Sequence, residues 1–149
     1  MAPLPPSGRA GYHSDMPVTP EQMRAFLERK ARRQQEERER LHAEAAADAR
    51  RIVELIAVRY RPARIVQWGS VLDGRRFQPY SDIDLAVEGV VDAQRFFALL
   101  ADAEQETRFP VDIVQLERME PEFREVILEK GQVVYERNRT GPAPAERDR

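Results

Sequence analysis

The residues with the most chemistry in them lie in three short runs. Ser81-Asp82-Ile83-Asp84 sets two carboxylates two positions apart ahead of an apolar segment, and Val111-Asp112-Ile113 sets a third between β-branched neighbours. Residues two apart share one face of a strand. Asp82 and Asp84 therefore project to one side while Ile83 and Leu85 turn to the other, and Asp112 does the same between Val111 and Ile113. Three carboxylates on one face repel one another and resist burial, so keeping them ionised calls for a cation. Hard oxygen donors of this kind suit Mg²⁺, and one or two such ions polarise a phosphoryl group and steady both the attacking and the leaving oxygen.

The complementary part is Gly69-Ser70, placed directly after the apolar run Ile65 to Trp68. A glycine there lets backbone approach a ligand closely, and the following N–H groups and the serine hydroxyl hold phosphate oxygens, more so if a helix starts at that point. Arg75 and Arg76 offer cations from the same loop. Taken singly, each aspartate also reads as a solvated acidic turn, and Asp112 has Arg64 and Arg108 as alternative ion-pair partners. Trp68 reads as core packing, with contact to a bound base as the other possibility. His13 and His42 have no neighbours in sequence that would make a metal site or a triad.

Gly69-Ser70, eleven intervening residues and then Asp82-x-Asp84, with Asp112 later, resembles the Gly-Ser…Asp-x-Asp signature of the DNA polymerase beta-like nucleotidyltransferase superfamily. The likeness spans about residues 62 to 137 and is greatest to the minimal nucleotidyltransferase branch, the MntA-like antitoxins. It implies that Gly69 and Ser70 bind the triphosphate of ATP, that Asp82 and Asp84 bind two Mg²⁺ ions, and that Asp112 completes the site as a third ligand or as the base. It further implies transfer of AMP to a hydroxyl, a tyrosine of a HEPN-type toxin, in a hetero-oligomeric toxin–antitoxin pair. The chain departs from the common Gly-Ser-Arg-x-x-Gly pattern. It reads Gly69-Ser70-Val71-Leu72-Asp73-Gly74, so the arginine is absent and an acid is added. A domain that neutralises its partner by binding alone is the alternative.

These residues must be held by a small scaffold. Thr19-Pro20 followed by Gln22 is a helix start with a capping box, and from there neither Gly nor Pro occurs until Pro62. The spacing allows a helix of about 40 residues, near 60 Å long. Its middle, Glu28 to Arg40, has only Ala31 as an apolar residue and is supported by i,i+4 pairs such as Glu28–Arg32 and Glu36–Arg40. Leu41, Ala45, Ile52, Leu55, Ile56 and Tyr60 form a stripe that docks on the domain, leaving the earlier part projecting or paired with a partner. Strands follow at Ile65–Trp68, Ile83–Val87 and Val111–Leu116. Asp92 caps a helix with Ala93, Phe96, Phe97 and Leu100 on one face. Pro121 opens a last helix with Phe123, Val126 and Ile127 inward and Gly131 as its stop, and Val133–Tyr135 forms an edge strand. The expected fold is α+β, a small polymerase beta-like sheet with helices on one face behind a long N-terminal helix. It is partitioned as tail 1–18, helix 19–61, nucleotidyltransferase domain 62–137 and tail 138–149.

Composition agrees with this and excludes other classes. The chain has 149 residues with net charge −2, and its basic residues are 22 Arg and two Lys. That balance, with Glu28, Glu36, Glu37 and Glu39 interleaved among the arginines of the long helix, does not read as a direct nucleic-acid binder. The longest apolar run, Phe96 to Ala101, is far short of the roughly 20 residues of a membrane span. With no cysteine, disulfides and zinc–thiolate sites are excluded, and the cytoplasm is the expected location.

Overall fold

The computed structural model describes residues 17–137. The tails read at residues 1–18 and 138–149 lie outside the described residues, save Pro17 and Val18, and so does His13. In chain order the elements are α1 (Pro20–Tyr60), β1 (Arg64–Trp68), a 3-10 turn (Ser70–Leu72), β2 (Ile83–Glu88), α2 (Ala93–Gln105), β3 (Val111–Gln115), a second 3-10 turn (Leu116–Arg118), α3 (Pro121–Lys130) and β4 (Gln132–Glu136).

The chain divides into two units, Met1–Gln34 and Gln35–Arg149. In the first, the start of α1 is closed as its sequence predicts. The Gln22 N–H donates to Thr19 Oγ1 at 3.1 Å and the Thr19 N–H donates to Gln22 Oε1 at 2.9 Å, a reciprocal capping box. Met23, Phe26 and Leu27 are exposed.

In the second unit, a four-stranded mixed sheet has the order β3-β2-β1-β4. β1 pairs antiparallel with both β2 and β4, while β2 and β3 run parallel and are joined through α2. Alternation sorts the strand side chains onto two faces. Ile65, Ile83, Leu85, Val87 and Ile113 face a core shared with Ala45, Ala49, Ile52 and Ile56 of α1 and with Leu99 and Ala103 of α2. Val66 and Ala86 face the other way, against Leu116 and Ile127. Two helices thus cover one face of the α+β sheet as expected, whereas α3 lies on the opposite face, a separation that element order alone did not reveal.

Several helix faces differ in detail from the expected ones. The stripe of α1 centres on Leu41, Ala45, Ala49, Ile52 and Ile56, with Leu55 and Tyr60 at its margin. Tyr60 sits at the edge because its hydroxyl donates to Asp102 Oδ2 at 2.6 Å. On α2 the buried residues are Leu99 and Ala103, and Phe97 is exposed. On α3 only Ile127 is buried; Phe123 and Val126 are 58% and 48% exposed. Arg40 pairs with Glu37 rather than with Glu36. Gly131 does end α3, but with φ −83 and not in a left-handed turn. Glycine is needed there for space, since a Cβ would fall 2.5 Å from the Ile127 carbonyl oxygen and 2.6 Å from Val66 Cγ1. Among the described residues no helix is long and apolar enough to cross a membrane.

Candidate active site

The site is built on the face of the sheet that carries α3. In register, Asp84 of β2 stands beside Trp68 of β1 on one side and Asp112 of β3 on the other. Because β2 and β3 are parallel and in step, the two aspartates that sequence places 28 positions apart become neighbours. Asp82 precedes β2 by one residue. The turn that delivers it is closed by Ser81, whose Oγ accepts from the Gln78 N–H at 2.9 Å and whose N–H donates to the Gln78 carbonyl oxygen at 2.9 Å.

Gly69 sits directly against this group. Its φ is +80, a conformation that residues with a Cβ rarely adopt, and a Cβ built there would lie 2.2 Å from Asp84 Oδ2. The glycine therefore serves two demands at once, the turn out of β1 and the close approach of backbone to a carboxylate. The segment that follows is a single 3-10 turn, Ser70–Leu72, so the helix start that would strengthen phosphate binding is limited to one turn. Val71, where the resembling sequences carry arginine, is 3% exposed and belongs to the core. The missing arginine is thus a packing position in this chain.

Burial pushes the Asp84 carboxyl up to about 6, and the charges of Asp112 and then Asp82 add to the effect. Among the described residues no hydrogen bond or ion pair takes up the carboxylates of Asp82, Asp84 or Asp112. The alternative partners proposed for Asp112 are engaged elsewhere. Arg64 is bidentate to Glu88 Oε2, at 2.9 and 2.6 Å, and Arg108 is bidentate to Glu44, at 2.7 Å to each oxygen. Three oxygen-donor side chains that share a face and repel one another fit a hard divalent cation in donor chemistry and charge. Among the described residues no group of three or more acidic or histidine side chains is already set to hold a metal ion.

Beside the aspartates a cavity of about 630 Å³ opens between the segment from Trp68 to Arg76 and α3. Gly69 and Ser70 belong to its lining, as do Phe123, Val126 and Lys130. This is why Phe123 and Val126 are not core residues. Of the two loop arginines, Arg76 lines the cavity; Arg75 is not part of its lining, and its N–H donates to Asp73 Oδ1 at 3.0 Å. Lys130 was not singled out from sequence, where it reads as the basic last turn of a helix. It reaches the site because Gln132, two residues on, pairs with Gln67 at the Gly69 end of β1.

His42 also proves to have a role that its place on a charged helix did not suggest. Its Nε2 donates to the Val71 carbonyl oxygen at 2.6 Å, and its ring lies edge-on to Phe77 with centroids 5.5 Å apart. It ties the loop after Ser70 to α1.

A family model described as Polymerase beta, Nucleotidyltransferase matches residues 50–140. No curated protein matches the chain. Among solved structures, a chain of a toxin-antitoxin crystallised with AMP-PNP is 21% identical, covers 60% of this chain and 73% of its own length, and gives a TM-score of 0.52. A chain of the toxin-antitoxin MntA-HepT is 18% identical over 61% of this chain and 72% of its own, with a TM-score of 0.48. The first of these likenesses is one of fold.

Proposed function

Since the chain belongs to the polymerase beta nucleotidyltransferase family, we propose that it is a Mg²⁺-dependent protein adenylyltransferase that moves AMP from ATP to a hydroxyl, a tyrosine, of a HEPN-type toxin whose antitoxin it is. The observation that carries this reading is the position of Asp84 between Gly69 and Asp112. It sets a backbone suited to phosphate beside paired carboxylates and a third carboxylate across from both. The toxin–antitoxin setting rests on the sequence resemblance, with a toxin-antitoxin structure among the similar folds.

In this proposal Asp82 and Asp84 hold the metal, with Asp112 as third ligand or base, and residues 62–137 form the catalytic domain. Mg²⁺, when bound, supplies neutralisation of charge on the phosphates. The N–H groups after Gly69 and the Ser70 hydroxyl hold the triphosphate, and Arg76 counters its charge. Asp112 orients the acceptor hydroxyl and takes its proton. The hydroxyl oxygen bonds to the α-phosphorus as the bond from that phosphorus to the bridging oxygen breaks, and pyrophosphate leaves with the electron pair. Positioning and preorganised charge account for most of the acceleration.

A second reading, neutralisation by binding alone, is favoured by Asp73, an acid in the cavity lining close after Gly69-Ser70. Transfer of α-phosphate label from ATP to proteins of a source-cell lysate separates the two. A labelled band with wild type and none with Asp82→Asn/Asp84→Asn is expected. A partner that co-purifies without any label supports binding alone.

A further inference from the structure

Among the described residues Tyr80 is the most exposed of the large hydrophobic side chains, at 80%, and it stands two positions before Asp82. We infer that its hydroxyl is a second acceptor of the transfer, so that the chain adenylylates itself at Tyr80 from ATP bound in its own site. The inference rests on the nucleotidyltransferase reading and adds to it a modification site on the enzyme itself.

The segment that carries Tyr80 is anchored on both sides. Before it, Phe77 is wholly buried and lies edge-on to His42 and to Phe109, with ring centroids 5.5 and 5.9 Å apart. After it, Ile83 is wholly buried and its N–H donates to the Pro110 carbonyl oxygen at 2.8 Å. Between these anchors the Ser81 N–H closes a β-turn on the Gln78 carbonyl oxygen, with Pro79 and Tyr80 as its central residues. Proline presets the first of these positions. Glycine or a small polar residue serves the second, so the turn itself does not call for an aromatic ring there. Among the described residues no hydrogen bond, aromatic pair or cation engages the Tyr80 side chain. The Cα atoms of Tyr80 and Asp82 are at most about 7 Å apart, a distance of the same order as the length of a tyrosine side chain. Side-chain rotation alone therefore brings the hydroxyl into the neighbourhood of Asp82, and the tether makes the encounter unimolecular. Two other tyrosines are placed differently. The Tyr60 hydroxyl donates to Asp102 Oδ2 at 2.6 Å, and Tyr135 pairs with Ile65, at the end of β1 away from Gly69. In the transfer the Tyr80 oxygen bonds to the α-phosphorus as the bond from that phosphorus to the bridging oxygen breaks. Pyrophosphate leaves with the electron pair, and Asp112 takes the phenol proton. The product is a phosphodiester on Tyr80.

The purified full chain, incubated with ATP and Mg²⁺ and then digested, is expected to yield a peptide carrying AMP on Tyr80 in tandem mass spectrometry. The rate of labelling per chain is expected to be independent of protein concentration. Tyr80→Phe, which removes one exposed hydroxyl, is expected to abolish the adduct, and Tyr60→Phe and Tyr135→Phe to keep it. A readout that needs no turnover is nitration by tetranitromethane, which a non-hydrolysable ATP analogue with Mg²⁺ is expected to slow at Tyr80. An adduct on other residues instead, or nitration of Tyr80 unchanged by an analogue that binds in calorimetry, overturns the inference. A rate per chain that rises in proportion to concentration overturns it as well and makes Tyr80 the acceptor of a second copy's site. No adduct on the chain, from a preparation that labels a lysate protein, overturns it while the nucleotidyltransferase reading stands. Absence of label on both the chain and the lysate removes the self-modification and the transferase reading together.

Discussion

Asp84 is where the proposed function and stability pull against each other. Its carboxyl is raised from 3.8 to about 6 by burial and by Asp112 and Asp82, so between those values the folded protein holds a proton that the unfolded chain has released. The stability that this proton contributes is complete below pH 3.8 and is lost as pH rises through about 6. The shift corresponds to about 3 kcal/mol, which solvent screening of a half-buried carboxylate reduces, so at neutral pH the metal-free protein carries an uncompensated cost of about 1–2 kcal/mol. Asp84→Asn is expected to raise the melting temperature of the metal-free protein by about 5 °C while lowering transfer at least about a hundredfold. Mg²⁺ is expected to stabilise wild type and not this variant, which thermal unfolding with and without the ion measures. Gly69→Ala acts on the same carboxylate from outside. With φ +80 and a Cβ 2.2 Å from Asp84 Oδ2, it is expected to cost about 1–3 kcal/mol and to abolish measurable transfer, read by urea unfolding and by the label assay.

Helix α1 works at the scale of elements as both core wall and tether. Ala45, Ala49, Ile52 and Ile56 are wholly buried, so Ile52→Ala is expected to cost about 2–5 kcal/mol in denaturant unfolding. His42, on the same helix, reaches the loop through the Val71 carbonyl oxygen. Its replacement by Ala is expected to cost only about 1 kcal/mol but to raise KM for ATP more than it lowers kcat, since it frees the segment that lines the cavity. Steady-state kinetics over an ATP series make that split. Helix α3 shows the limit of reading an element by periodicity. Phe123, Val126 and Ile127 share an apolar pattern, and that pattern does not distinguish a core from a cavity wall.

For the whole molecule, the unit Gln35–Arg149 contains the sheet, the core and every candidate site residue. Truncation to that unit is expected to leave the melting temperature within about 2 °C of the full chain and to keep nucleotide binding dependent on Asp82 and Asp84. Calorimetry of the truncated and full chains compares both. Loss of association with the proposed partner on the same truncation would assign the start of α1 to partner binding.

What the amino-acid sequence determines by itself is local. Thr19–Gln22 closes its capping box and Asp92 caps α2. The strands fall where period-2 patterning puts them, and alternation turns Asp82, Asp84 and Asp112 to one face, because caps and pleats depend on residues a few positions apart. The family signature is equally local and was legible as Gly69-Ser70 with Asp82-x-Asp84. Only the tertiary structure decides what meets what. The strand order and the parallel β2–β3 register bring Asp112 beside Asp84, and the β1–β2 register brings Gly69 to Asp84. Glu88 and Glu44 occupy Arg64 and Arg108, and Arg76 and Lys130, not Arg75, line the cavity. Those outcomes depend on burying both faces of one sheet at once, a condition on the whole chain that no short stretch of it expresses.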